Sequence, residues 1–354
     1  MNASLPAVLG FPHAAPPPSA EVIEVARGVL WLRMPLPFAL DHINLWLLAD
    51  GDGWTQVDCG YGDPATRALW EAHFDTTFAR RPLNRVVATH YHPDHLGNAA
   101  WLTGRFKCPL VMPQAEFLTA HLVGSAHAGY GAESICAMFR AHGMSREHLA
   151  SMQERGNRYR SGVPELPLTF RRLLAGDEIE IGANRWRAIG GYGHSPEHVS
   201  LYCKQLGVCI SGDMLLPKIS TNVSVWPAEA EGNPLARFLD SLPVFAALPG
   251  ETLILPSHGL PFTGAALRVD QLQAHHAARL TELEAAADEP RTAAELVPVL
   301  FRRELDLQQR FFAMGEAIAH LNYLWHAGRF TRTIDANGTI HFQCANAIVT
   351  GGSK

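Results

Sequence analysis

A chain of 354 residues, 47% hydrophobic and 18% charged, can bury a sizeable core and hold one large domain with a smaller appendage. Its formal net charge of −5 argues against a general binder of nucleic acid or anionic membranes. No uncharged apolar run approaches the ~20 residues that span a bilayer, and no basic segment precedes an apolar core at the start, so neither an anchor nor a secretory signal is expected.

Residues 1–20 are rich in Ala and Pro and read as a flexible leader. Strand-like runs follow: Val22–Val25, Val29–Leu32 and Ile43–Leu48, then the turn Asp50-Gly51-Asp52-Gly53 and Trp54–Val57. Short consecutive strands with tight turns suggest a largely antiparallel or mixed sheet. Pro64 to Phe78 has helical spacing, and Arg85–Ala88 is a buried strand. The six cysteines form no C-x-x-C pair and no zinc-finger spacing, so reduced thiols and a cytoplasmic setting are expected.

The buried strand opens onto Thr89-His90-Tyr91-His92-Pro93-Asp94-His95-Leu96-Gly97-Asn98. His90 and His92, two apart, point the same way if extended. Asp94, after Pro93, can open a helix running on through Leu102. His90 and His92 therefore belong to the strand end, and Asp94 and His95 to the first helical turn, so two neighbouring metals could be served. A patch of surface histidines is the bland alternative, which so specific a spacing disfavours.

Cys108–Met112 is another strand, and Gln114 to Gly162 is a mainly helical insertion. Insertions between ligand loops form lids, pocket walls or plain packing layers, and the Met and Phe content suits each. Strands return at Leu173–Ile181, Trp186–Ile189 and Val199–Ile210. Three polar residues then sit at strand ends: His194 in a Gly-rich loop with Ser195-Pro196-Glu197-His198, Asp213 after Val208–Ile210, and His258 after Thr252–Leu255. One such residue would be unremarkable, whereas three after the His cluster indicate a shared site.

From about Ala265 the composition changes. Val269–Ala287, Thr292–Phe301 and Gln309–His326 read as helices, and Arg329–Phe342 as a hairpin around Asn337-Gly338. Residues 266–345 thus form a C-terminal helical, winged-helix-like unit, followed by a tail at 346–354. Histidines without a strand-end setting (His127, His142, His148, His275, His276, His320 and His326) are assigned to surface or packing roles.

Taken together, His90, His92, Asp94, His95, His194, Asp213 and His258 resemble the ligand pattern of the metallo-β-lactamase superfamily, in its H-x-H-x-D-H hydrolase form with a bridging Asp. The resemblance covers residues 21–265, with the insertion at about 114–162. It implies an α+β fold, the αβ/βα metallo-β-lactamase sandwich, with its site on one edge. It further implies that His90, His92 and His194 hold one divalent metal, that Asp94, His95 and His258 hold another, and that Asp213 bridges them. Asp58 matches the family's early Asp-x-Gly and would orient a ligand imidazole, and the position of His198 suggests a similar supporting hydrogen bond. Imidazole and carboxylate donors suit zinc first, with manganese or iron admissible. A hydroxide bridging two such metals would be the nucleophile, and Asp94 the catalytic proton carrier.

Asp213 stands where β-lactam-hydrolysing members usually carry Cys or Ser, which disfavours antibiotic hydrolysis. The lactonase tyrosine after the bridging Asp is missing, because Met214-Leu215-Leu216-Pro217 follows. The leading expectation is a small-molecule substrate of ester type: a thioester, lactone or acyl ester. A phosphodiesterase or endoribonuclease is the alternative, prompted by the terminal unit. Residues 264–354 hold 9 Arg/Lys and 10 Asp/Glu, a net of −1, where phosphate binding wants clustered cations. The unit is therefore expected to pack, gate substrate or support a homodimer, without nucleic acid or membrane partners. A mononuclear iron dioxygenase is a second alternative, disfavoured by the complete second donor set.

Overall fold

The computed structural model describes residues 8–126 and 129–345, which divide into two compact units. The first comprises the described residues up to Gly124, with Arg158–Thr221 and Ser241–Val269; the second comprises Ser125–Asn157, Asn222–Asp240 and the residues from Asp270 onward.

The first unit is built on two sheets. In one, β1 (Ile23–Ala26), β2 (Val29–Pro35), β3 (His42–Asp50) and β4 (Gly53–Val57) form an antiparallel meander. The strands β5 (Leu83–Val87), β6 (Leu110–Met112) and β7 (Arg171–Arg172) then add parallel to β4. The other sheet has β8 (Glu178–Ile181), β9 (Asn184–Gly191), β10 (His198–Cys203) and β11 (Val208–Gly212) antiparallel, with β12 (Leu253–Pro256) parallel to β11. Trp31, Trp46, Val57 and Val87 from the first sheet share a buried core with Trp186, Val199, Leu201 and Ile210 from the second. This is a face-to-face sandwich. Residues 43–48 of β3 are buried without interruption, the pattern of a strand covered on both faces, which is why its sequence is apolar apart from the hydrogen-bonded Asn44.

Parallel pairing needs crossovers, and helices supply them. α1 (Pro64–Asp75) joins β4 to β5; it starts with Pro64 at its first turn and Asp63 accepting from Thr66 N. Its buried Trp70 donates to the Cys59 carbonyl at 2.9 Å, fixing the chain just after β4. Between β5 and β6 the helix expected from Asp94 through Leu102 is in fact two, α2 (Pro93–Leu96) and α3 (Ala99–Phe106). The break has a steric cause. A Cβ on Gly97 would lie 2.4 Å from Gly162 O and 2.5 Å from Gly60 O, so the chain is drawn tight against neighbouring backbone there. Asn98 fills the break by donating to the carbonyls of Cys59, Gly60 and Tyr61.

Three further expectations change. Leu173–Ile181 is not one strand: β7 closes the first sheet, Gly176 turns the chain at φ 92°, and β8 begins the second. Val199–Ile210 is a hairpin, β10 and β11, turned at Gly207 with φ 64°. The leader is anchored from residue 8 on, where Gly10 exchanges backbone hydrogen bonds with Thr263 and Phe11 packs on Phe262. Residues 1–7 and the tail 346–354 lie outside the described residues, as does His127.

The helical insertion divides. Its first helix, α4 (Gln114–Gly124), belongs to the first unit, whereas α5 (Ala132–Ala141) and α6 (Arg146–Arg155) belong to the second. With them go most of the helix Ala265–Ala286, the helices Ala293–Leu300 and Leu307–His326, and a hairpin of β13 (Phe330–Ile334) and β14 (Ile340–Cys344). Two of these helices open with reciprocal capping boxes, Thr292 with Glu295 and Asp306 with Gln309. At the hairpin turn, Asp335 accepts from Asn337 N and Thr339 N, and Gly338 takes φ 80°. No described helix is long and apolar enough to cross a membrane.

Candidate metal centre

The strand ends of the first unit converge. His90 and His92 follow β5, Asp94 and His95 occupy α2, His194 lies between β9 and β10, Asp213 follows β11, and His258 follows β12. His90, His92, His194 and Asp213 form one group whose donor atoms all lie within 4.8 Å of one another; Asp94, His95 and His258 form a second by the same measure.

In the first group, His90 Nε2 is 2.9 Å from His92 Nδ1 and 3.2 Å from His194 Nε2, and Asp213 Oδ2 is 3.3 Å from His194 Nε2. In the second, Asp94 Oδ2 is 3.4 Å from His258 Nε2 and 3.7 Å from His95 Nε2. The other oxygen of Asp213, Oδ1, faces this second group, at 3.4 Å from His258 Nε2 and 3.6 Å from His95 Nε2. Donors placed about 2.0–2.1 Å from a tetrahedral cation stand roughly 3.3 Å apart, so both groups have the spacing of a coordination shell.

Fit to a cation is also a matter of unmet valence. His95 Nε2 and Asp213 Oδ1 are buried and make no hydrogen bond, although their other polar atoms are well partnered. Orphaned lone pairs are costly unless something else meets them. A divalent cation meets an imidazole nitrogen and a carboxylate oxygen alike.

The surroundings set which nitrogen each imidazole presents. His95 Nδ1–H donates to Asp58 Oδ2 at 2.8 Å, leaving Nε2 for the site. Asp58 sits in left-handed backbone at φ 58°, and its Oδ1 accepts from Thr89 N. Thr89 Oγ1 donates to Asp58 and accepts from His90 Nδ1 at 3.0 Å, so His90 also presents Nε2. His258 Nδ1–H donates to the His42 carbonyl at 2.8 Å, and His42 Nε2 accepts from Gly259 N. His198 Nε2 accepts from the Asp213 backbone N–H at 3.2 Å. That imidazole packs where a Cβ on Gly212 would be, 2.3 Å from its Nε2, so only glycine fits at the end of β11.

Electrostatics divide the imidazoles by neighbour. Burial and the adjacent imidazoles hold His90 well below its ordinary value, and burial with His194 brings His92 to about 3. Both are neutral at physiological pH and offer lone pairs. Burial opposes the charged form of His258, but Asp213 and Asp94 overcome it and lift the group to about 10. Burial likewise opposes ionisation of Asp94, yet His95 and His258 pull it down to about 2. The carboxylates of Asp94 and Asp213 thus stay anionic, and the second group carries protons where a cation would take their place.

Besides His42, the supporting residues Asn44 and Glu116 are absent from the sequence reading. Asn44, buried in β3, donates to the carbonyls of Pro256 (2.8 Å) and Gly259 (2.9 Å), bracketing His258. Glu116, fully buried in α4, accepts from backbone beside His90, His92 and His198. Burial raises it to about 7 despite those hydrogen bonds. Its only sequence signal is an acid among the apolar residues of a helix.

Comparison with known proteins agrees with this geometry. The family model for the metallo-beta-lactamase superfamily matches residues 39–258, and that for the metallo-beta-lactamase-like C-terminal domain matches 280–345. A crystal structure of a beta-lactamase domain protein from Burkholderia ambifaria is 46% identical, with a TM-score of 0.89, covering 95% of this chain and 98% of that one. A probable metallo-hydrolase, YqjP, of Bacillus subtilis is 24% identical over 90% of this chain and 98% of its own. A hydroxyacylglutathione hydrolase of Acidiphilium cryptum is 28% identical over 73% of this chain and 81% of its own. The chain belongs to the metallo-beta-lactamase superfamily and is a metal-dependent hydrolase within it.

Proposed function

We propose that the chain is a dinuclear hydrolase of small ester-type substrates, a thioester, lactone or acyl ester, with zinc as the resident metal. The observation that carries this reading is the Asp213 carboxylate, which turns Oδ2 toward one donor group and Oδ1 toward the other. His90, His92 and His194 would complete one site; Asp94, His95 and His258 the other. Two divalent cations held there would act as Lewis acids and bring a bound water near neutrality in pKa. Relatives named as hydroxyacylglutathione hydrolases support an acyl substrate.

The chain's own residues do the rest. Asp58 and the His42 carbonyl lock the tautomers of His95 and His258, so each donor faces the centre without reorganisation. His92 and Asp94 keep part of their surface open to solvent while the other donors are buried, which makes theirs the approach side. Asp94, ionised at that open side, would take a proton from the attacking water and pass it to the leaving group.

Metal analysis of the purified chain, coupled to a panel of thioesters, lactones, phosphodiesters and RNA, tests this. We expect two metals per chain and turnover of acyl compounds. Turnover of RNA without any acyl compound would replace the reading with a nuclease, and one iron per chain with oxygen consumption would replace it with an oxidoreductase.

A further inference from the structure

The second donor group is supported by Asp58 and the His42 carbonyl, and Asp58 also reaches His90 of the first group through Thr89. For the first group the connecting residue is Glu116. One carboxylate oxygen, Oε1, accepts from Ser195 Oγ at 2.7 Å and from Glu197 N at 2.6 Å. The other, Oε2, accepts from Tyr91 N at 3.0 Å. Tyr91 lies between His90 and His92; Ser195 follows His194 directly. The same peptide segment is held from its other side, because Tyr159 Oη donates to the Tyr91 carbonyl at 2.7 Å. Glu197 answers from its loop, with Oε2 accepting from Ala115 N at 3.3 Å.

We propose that Glu116 is a positioning residue that sets the first donor group by pinning the His90–His92 segment to the His194 loop. This rests on the reading that His90, His92, His194 and Asp213 hold a divalent cation. The two pinned segments come from different sheets, one following β5 and the other following β9. Without a shared acceptor, each could shift by a fraction of an ångström without breaking a strand, and a coordination shell does not tolerate that. A buried carboxylate suits the task because leaving any of its three donors unmatched is costly, so the arrangement is all or none. Glutamine cannot replace it. If the amide oxygen faces Ser195 and Glu197, the amide NH₂ meets the Tyr91 N–H, donor against donor.

Cobalt(II) titration of the metal-stripped full-length chain, followed by its visible absorption, reads each binding event separately from folding and turnover. We expect the native chain to bind in two events. In Glu116→Gln, one event should weaken ~10–100-fold, the range for losing an outer partner of a metal ligand, with the other unchanged. Ser195→Ala removes one of the three donors with little new strain and should weaken the same event by a smaller factor. A folded Glu116→Gln whose titration superimposes on the native curve, or weakens both events equally, overturns the proposal. If Glu116→Gln does not fold, Ser195→Ala decides: an unchanged titration overturns it. A native chain that binds no cobalt overturns it too. Selective weakening in a chain inert on every acyl substrate would leave Glu116 in its role and remove only the ester-hydrolase reading.

Discussion

Two clusters of buried histidine stand in this molecule, one in each compact unit, and they differ in the acids beside them. In the first unit, His95 and His258 reach the carboxylates of Asp94 and Asp213, and a ring nitrogen and a carboxylate oxygen are left without hydrogen bonds. In the second unit, His276 Nδ1 meets His320 Nε2 at 3.1 Å, His320 Nδ1 donates to the Glu316 carbonyl at 2.8 Å, and His276 Nε2 is likewise left without a hydrogen bond. No carboxylate oxygen bonds either ring there among the described residues, and no group of metal donors includes them. Burial brings His276 to about 3 and His320 to about 4, so the pair is neutral. The imidazoles are alike; the acids decide what they do. Carboxylates that can ionise beside a buried imidazole create demand for a cation, whereas their absence leaves a neutral pair in the core.

The sharpest way to break that contrast is to remove the acid. Asp213→Ala takes an oxygen from each donor group, so metal affinity should fall by well over ~100-fold in both binding events and hydrolysis should vanish with it. Equilibrium dialysis with elemental analysis checks this, and two retained metals would refute the bridging assignment. A smaller effect on binding but a large one on rate is expected at Asp94. In Asp94→Asn, kcat should drop ~10²–10⁴-fold, while the melting temperature stays within about 4 °C because asparagine keeps the shape of a side chain that is still 18% exposed. Full activity with both metals retained would show that the proton carrier lies elsewhere.

The candidate site was legible because three of its donors follow apolar runs. Val86-Val87-Ala88 before His90, Val208-Cys209-Ile210 before Asp213 and Leu253-Ile254-Leu255 before His258 all announce a strand delivering a polar group. The sandwich and the terminal helices with their hairpin were legible for the same reason, period and punctuation. What escaped depends on partners far along the chain. Glu116 in the first turn of a helix reads as an ordinary complement to the helix dipole, and its partners lie 25, 79 and 81 residues away. Gly97 reads as one small residue in a helix until backbone from Gly60 and Gly162 closes on it. The place of α5 in the second unit reflects packing of Phe139 on Phe311 and of His142 on Phe342, which no local pattern encodes.

The smallest expected effect tests the other half of the contrast, the neutral pair. An ordinary histidine has a pKa near 6.5, so below that value the unfolded chain takes up protons at 276 and 320 that the folded chain refuses. Stability contributed by these groups is therefore full above pH 6.5 and is lost as pH falls toward 4, by about 1.4 kcal/mol per pH unit for each. Glu316, on the same helix as His320, works in reverse. Burial outweighs its hydrogen bond from Asn222 and raises it to about 7, so the folded chain binds its proton first and gains stability as pH falls from 7 toward 4.5. The other charged neighbours, His275 and Arg279, further oppose protonation of the pair. Two losses against one gain leave a net loss of about one group's slope between pH 6.5 and 4.5. In His276→Gln the amide can still donate to His320 Nε2 but does not titrate, so loss and gain from these groups should cancel. Thermal unfolding of the second unit, followed across that pH range, should flatten in the variant relative to the native chain. An equal acid slope in both would mean that the His276–His320 pair is already charged when folded, and the distinction between the two clusters would fail at its second member.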